Sequence, residues 1–230
     1  MTGCIKLSAG CDNCYAERMA KRLKAMGQKK YVNEFKPTFH PEEITRPFEW
    51  VKPCKIFVCS MSDLFNNHFD DCYINLVLNV IKDCPQHEFQ ILTKRPTRMA
   101  EFSRKYKFSN NIIAGTTIEN LDEMKRVYSL KQTLSCLKFV SFEPLLEDVT
   151  ANVSAPNISD ALDGIDWVIV GSETGPNARP MKLDWARRLR DICYTKRIPF
   201  FYKHGPDGPL LDGELYNNYP LINLEYNKNG

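Results

Sequence analysis

The sequence predicts an α/β fold built on a parallel sheet, and three observations carry that reading. Short apolar runs recur roughly every 20 to 35 residues, mostly separated by helical periodicity, which is the signature of βαβ units. The runs are apolar almost throughout, as strands covered on both faces are. Each run also ends in Ser, Thr, Lys, Arg or Glu. In β/α barrels and open α/β sheets, ligands sit beyond the C-terminal strand ends.

The elements follow in order. Tyr15 to Met26 has Ala16, Met19, Ala20, Leu23 and Met26 at helical spacing, with Arg18, Lys21, Arg22 and Lys24 on the other face and Gly27 as a stop. That basic face reads most simply as a solvated surface. Residues 28–50 carry Pro37, Pro41 and Pro47 and read as a connecting excursion with a short helix at Pro41–Thr45. Strands follow at Lys55–Cys59, Phe89–Leu92, Asn111–Gly115, Lys138–Phe142, Asp166–Val170 and Pro199–Tyr202. Helices are expected at Asp71–Lys82, through Met99 and Phe102, at Leu121–Leu130 and at Leu183–Thr195. The segment 205–230 shows little periodicity and reads as a tail or a packed cap on a single domain of residues 1–204.

Totals narrow the class. A chain of 230 residues buries a core without staples. Its 43% hydrophobic and 26% charged content is that of a soluble globular protein. A net charge of +3 argues only weakly for a polyanionic partner. Nine cysteines, polar first residues and no bilayer-length apolar run place the chain in a reducing cytoplasm, with no membrane partner.

The cysteines that matter are Cys4, Cys11 and Cys14, spaced C-x6-C-x2-C before the first helix. A C-x2-C pair on a turn brings two thiolates to one metal centre, Gly10 lets the backbone fold back, and Cys4 closes the loop. Three thiolates leave one position open. A 4Fe–4S cluster with one bare iron has that form. A structural zinc completed by a distant ligand and reduced bystander thiols are the alternatives. Cys54, Cys59, Cys72, Cys84, Cys136 and Cys193 read as core or surface thiols, with Cys59 close enough to Ser60 to reach the strand ends. His40, His68 and His87 lie among polar neighbours and are expected on the surface.

The motifs T-G-C-x6-C-x2-C-Y-A-E, S-M-S-D-L-F, I-L-T-K-R-P, S-F-E-P-L-L and D-W-V-I-V-G-S-E-T-G-P-x-A-R-P run from Thr2 to His204. Together they resemble a phage-associated radical-SAM-like family. The resemblance implies a partial (β/α) barrel with the cysteine loop at its C-terminal rim. It implies a 4Fe–4S cluster on Cys4, Cys11 and Cys14, S-adenosylmethionine on the open iron, and an external one-electron reductant. The expected activity is reductive cleavage of that cofactor to a 5′-deoxyadenosyl radical, which takes hydrogen from a substrate. Phage association, with Lys94 and Arg95, points to a nucleotide or nucleic-acid substrate. A zinc-stabilised, non-catalytic module binding nucleic acid or a partner protein is the competing reading. Two departures stand out: the usual loop is C-x3-C-x2-C with an aromatic between the last two cysteines, and the chain opens only three residues before Cys4. The expectation is a rudimentary first strand or a shortened N-terminus.

Roles attach to the strand ends. Ser60, Ser62 and Asp63 are placed by the resemblance at the cofactor's amino group; a helix N-cap is the plainer use. Lys94 and Arg95 can meet a carboxylate or phosphate. Thr117 and Glu119 are placed at the cofactor's ribose or at a helix start. Glu143 and Glu173 are expected in the site, since a carboxylate between apolar or Gly-flanked residues needs a partner or a task. Arg179 is expected to pair with one of them. Lys203 and His204 end the last strand, within reach of substrate. Arg187, Arg188 and Arg190 read as a solvated helix face.

Overall fold

The computed structural model describes residues 1–151 and 157–221; the end of the expected tail, 222–230, lies outside the described residues. Six parallel strands form one sheet in chain order, β1 (Lys55–Val58), β2 (Glu88–Thr93), β3 (Ile112–Thr117), β4 (Leu137–Phe142), β5 (Trp167–Gly171) and β6 (Phe200–His204). The sheet curls into a half-barrel, and β1 and β6 do not pair with each other. This is the parallel α/β class the strand spacing predicts. Between the strands run α2 (Asp71–Asp83), α3 (Pro96–Lys105), α4 (Lys125–Lys131), α5 (Ile158–Ala161) and α6 (Leu183–Lys196), and α1 (Tyr15–Ala25) precedes them. No helix among the described residues is long and apolar enough to cross a membrane.

Period-two alternation explains the two faces of the sheet. Ile91, Ala114, Val140, Val168 and Phe200 point outward and share one buried cluster with Ile74 and Leu78 of α2, Met99 of α3, Val127 of α4 and Leu189 of α6. All these helices therefore lie on one face, as right-handed crossovers that keep stepping the same way require. The inner face carries Gln90, Leu92, Ile113, Phe139, Trp167, Ile169 and Phe201, with a smaller cluster around Phe139 and Trp167. Gly115 belongs to this face because a Cβ there would lie 2.2 Å from the Phe139 ring.

The tail to residue 221 is a packed cap. Its backbone covers the free edge of β6, where Tyr202 N–H donates to Tyr216 O and Asn218 N–H to Phe200 O. Leu211 is fully buried, and the Tyr219 ring lies 4.5 Å from Trp167 on the inner face. Arg187, Arg188 and Arg190 are not simply a solvated face: Arg187 and Arg190 clamp Asp212 of the cap and Arg188 pairs with Asp148. Two histidines also depart from the surface expectation. His40 and His87 are buried, because residues 28–50 fold back over the β1 edge. His40 Nε2 sits 2.8 Å from Thr2 Oγ1, and the His87 Nδ1 accepts from Cys54 N–H at 3.2 Å. His68 is exposed.

Candidate functional site at the C-terminal rim

The cysteine loop is tied down at each end. Gly3 N–H donates to Met61 O and Cys4 N–H to Phe35 O, so Cys4 enters beside the end of β1. A 3₁₀ turn at Ala9–Cys11 leads to Cys14, the residue before α1, whose thiol makes no capping bond. Gly10 lies against the Glu119 side chain: a Cβ there would meet Glu119 Cγ and Oε1 at 2.5 Å. Ser8 Oγ donates to the same Glu119 Oε1 at 2.6 Å. Arg179 Nη2 donates to Ala9 O at 2.7 Å while its Nη1 reaches Asp12 at 3.4 Å. The loop thus rests on strand-end carboxylates and their cations.

Those cations and carboxylates pair around the rim. Asp63 accepts from Arg95 Nη1 at 2.9 Å, Thr93 Oγ1 at 2.7 Å and the amides of Phe65 and Lys94. Arg95 also donates to Ile5 O in the cysteine loop. Glu119 is completely buried and takes Lys94 Nζ at 2.5 Å and Arg126 Nη1 at 2.7 Å. Burial raises the Glu119 carboxyl, but the charges of Lys94 and Arg126 outweigh it and hold the group below its ordinary value. Glu173 binds Arg179 at 2.5 Å and Asn13 Nδ2 at 2.8 Å. Its hydrogen bonds to Arg179 hold its carboxyl down to about 2. Glu143 sits between Ser141 Oγ at 3.0 Å and Lys203 Nζ at 3.1 Å.

These partners show what the strand-end side chains do within the fold itself. Ser62 and Asp63 cap no helix; Ser62 Oγ donates to Gly3 O at 2.7 Å and Asp63 anchors the end of β2. Thr117 and Glu119 start no helix either, because Asn120 accepts from Glu123 N–H and takes that place. Lys94 and Arg95 do meet carboxylates, those of Glu119 and Asp63. Arg179 pairs with Glu173 as expected.

A cavity of about 180 Å³ gathers the expected residues: Cys4, Cys11 and Cys14 line it together with Ser60, Ser62, Asp63, Lys94, Arg95 and Thr117. Cys59 lines it too, as its position beside Ser60 suggests, and burial pushes its thiol up to about 11. Glu119 underlies the loop, and Glu143, Glu173, Lys203 and His204 line an adjoining pocket of about 510 Å³ over the inner face of the sheet. Gly10, Cys14, Tyr15, Phe57, Leu92 and Lys94 line both, so the two adjoin across a shared wall and together make the hollow at the rim. Three thiols on one cavity match an iron–sulfur cluster in kind, since each iron takes its own cysteine. Among the described residues no three potential ligands stand close enough to hold a single metal ion. Burial and the nearby Asp63 push the Cys4 thiol up, a preference that metal coordination reverses.

Sequence reasoning passed over Ser8, Asn13, Tyr15, Phe57 and Arg126. Tyr15 was visible as the aromatic displaced from between the last two cysteines; its hydroxyl donates to Ser60 O across the mouth of the cavity. Phe57, the middle of a five-residue apolar run, gave no sign that it faces the hollow.

A family model described as a protein of unknown function (DUF5131) matches residues 1–220. No curated protein and no solved structure matches the chain.

Proposed function

We propose, for a chain that belongs to the DUF5131 family, that the rim is the active site of a radical S-adenosylmethionine enzyme of partial-barrel type. One observation carries the reading: Cys4, Cys11 and Cys14 line a single cavity with the strand-end residues Ser60, Ser62, Asp63, Lys94 and Thr117 of a parallel half-barrel. The three cysteines would hold a 4Fe–4S cluster, leaving one iron for the cofactor. When bound, those groups would supply, with one electron from an external reductant, reductive cleavage of the sulfonium carbon–sulfur bond to methionine and a 5′-deoxyadenosyl radical.

The chain's own residues orient and exclude water. Ser60 offers a hydroxyl to the cofactor's amino acid end, since its neighbours Ser62 and Asp63 are committed to Gly3 and Arg95. Lys94, paired with Glu119, keeps a cation beside the cavity for a carboxylate without leaving that charge unbalanced. Glu143 and Lys203 present a paired acid and base to whatever enters the larger pocket, which suits a nucleotide or nucleic-acid substrate. The apolar Leu92 and Phe57 and the Tyr15 ring line the cavity and lower its polarity next to a reactive centre.

Anaerobic purification with iron, sulfide and zinc analysis tests the reading. A brown protein with about four irons and absorbance near 400 nm, both lost in Cys11→Ala, is the expected outcome. Reduction with S-adenosylmethionine should then release 5′-deoxyadenosine. A colourless chain carrying one zinc would overturn the proposal in favour of a metal-stabilised binding module.

A further inference from the structure

The chain's positive charge is concentrated beside this hollow. Between Glu17 and Lys36 lie seven lysines and arginines against two acids, a net of +5, so the rest of the chain is net −2. Lys21, Lys24 and Lys30 are paired with Glu17, Glu34 and Glu43. Arg18, Arg22, Lys29 and Lys36 have no carboxylate partner among the described residues. A groove of about 610 Å³ lined by Lys6, Lys21, Lys24 and Lys36, with Glu17 and Glu34 between them, opens at Cys4, at the edge of the site. Tyr15, Met19 and Met26 are exposed along the same segment. A one-sided cation field that ends at an active-site mouth concentrates polyanions there.

The larger pocket supplies the second, independent observation. Phe57, 43% exposed, and the half-buried Phe201 put aromatic rings on its wall, beside Phe139 and Trp167. Around them stand hydrogen-bonding groups: Ser141, Glu143 and His204, whose Nε2 is buried with no partner among the described residues. An aromatic floor with a donor–acceptor rim suits a flat ring that has a polar edge.

We infer that the chain binds single-stranded nucleic acid, its phosphates following α1 and residues 28–36 while one unstacked base enters the pocket over Phe57. A duplex cannot present a base face to an aromatic side chain, whereas a single strand can. The inference rests on reading the rim as an active site, but binding needs no iron, so the two fail separately.

The test uses the full chain purified anaerobically, with its iron content measured alongside. Fluorescence polarisation follows single-stranded DNA and RNA oligonucleotides of about 20 residues, and a duplex control, between about 50 and 200 mM salt. Expected are binding of a single strand that weakens steeply with salt, and at least about tenfold loss in the exposed double variant Arg22→Glu/Lys29→Glu. A 2-aminopurine in the strand should be quenched on binding, and Phe57→Ala should abolish the quench while polarisation persists. The inference is overturned by no binding at the lowest salt, by equal duplex binding without quenching, or by anionic lipid vesicles binding in place of the oligonucleotide. If oligonucleotides fail to bind a chain that carries four irons, only this inference falls. If they bind a chain that takes up no iron, only the enzyme reading falls.

Discussion

Glu119 is the residue on which the rim's electrostatics turn. Fully buried between Lys94 and Arg126, it also accepts from Ser8, so one carboxylate balances two cations and holds the cysteine loop. Glu119→Gln leaves those cations under-compensated and should cost about 3–5 kcal/mol in urea unfolding. Glu173 makes a pH prediction. Its carboxyl falls from 4.5 to about 2 on folding, so the stability it contributes is complete above about pH 5 and is lost as pH falls toward 2. Arg179→Gln should flatten that acid limb of the stability profile and leave the neutral-pH fold intact. The sequence singled out Glu173 and its Arg179 pairing, because a carboxylate in a Gly-flanked strand end must be compensated, and it marked Glu119 only as a strand-end residue. It hid Arg126, seven residues past Glu119, because a 3₁₀ turn at Leu121–Glu123 breaks the helical spacing that would relate them.

At the scale of elements, the cysteine loop depends on a glycine for close approach rather than for its backbone angle. Gly10→Ala puts a methyl 2.5 Å from Glu119 and should lift the loop off the end of β3. The expected result is a loss of about 1–3 kcal/mol, read by thermal unfolding, with iron uptake falling alongside it. Most strands were legible because helices cover one face and the inner cluster much of the other, so apolar runs stand out from their surroundings; β1, with Lys55 and Phe57 exposed, is the exception. The ends of β2, β3, β5 and β6 extend a residue or two beyond the runs, as where backbone pairing continues through Thr93 and Thr117 after the apolar side chains stop. The buried histidines were not legible. His87 is polar among polar neighbours, but its partners are Cys54 and Pro47, brought to it by the excursion before β1.

For the whole molecule, alternation of strand and helix specified a parallel sheet but left open whether helices cover one face or both. That choice lies in the direction of each crossover, which no local pattern records. The cap was equally silent, because its stability comes from single contacts: Tyr219 on Trp167, with its hydroxyl bonded to Glu88 and Gln90. Tyr219→Ala should lower global stability by about 2–3 kcal/mol, measured by denaturant unfolding, through loss of the ring packing and of the hydroxyl's bond to Glu88. The cap crosses the opening between β6 and β2, where Tyr219 meets Gln90, and the nucleic-acid strand's path lies outside the barrel, over α1 and residues 28–36. A strand can be laid in sideways at any point along its length, without threading from an end. A closed circle of single-stranded DNA should therefore be captured as readily as a linear one.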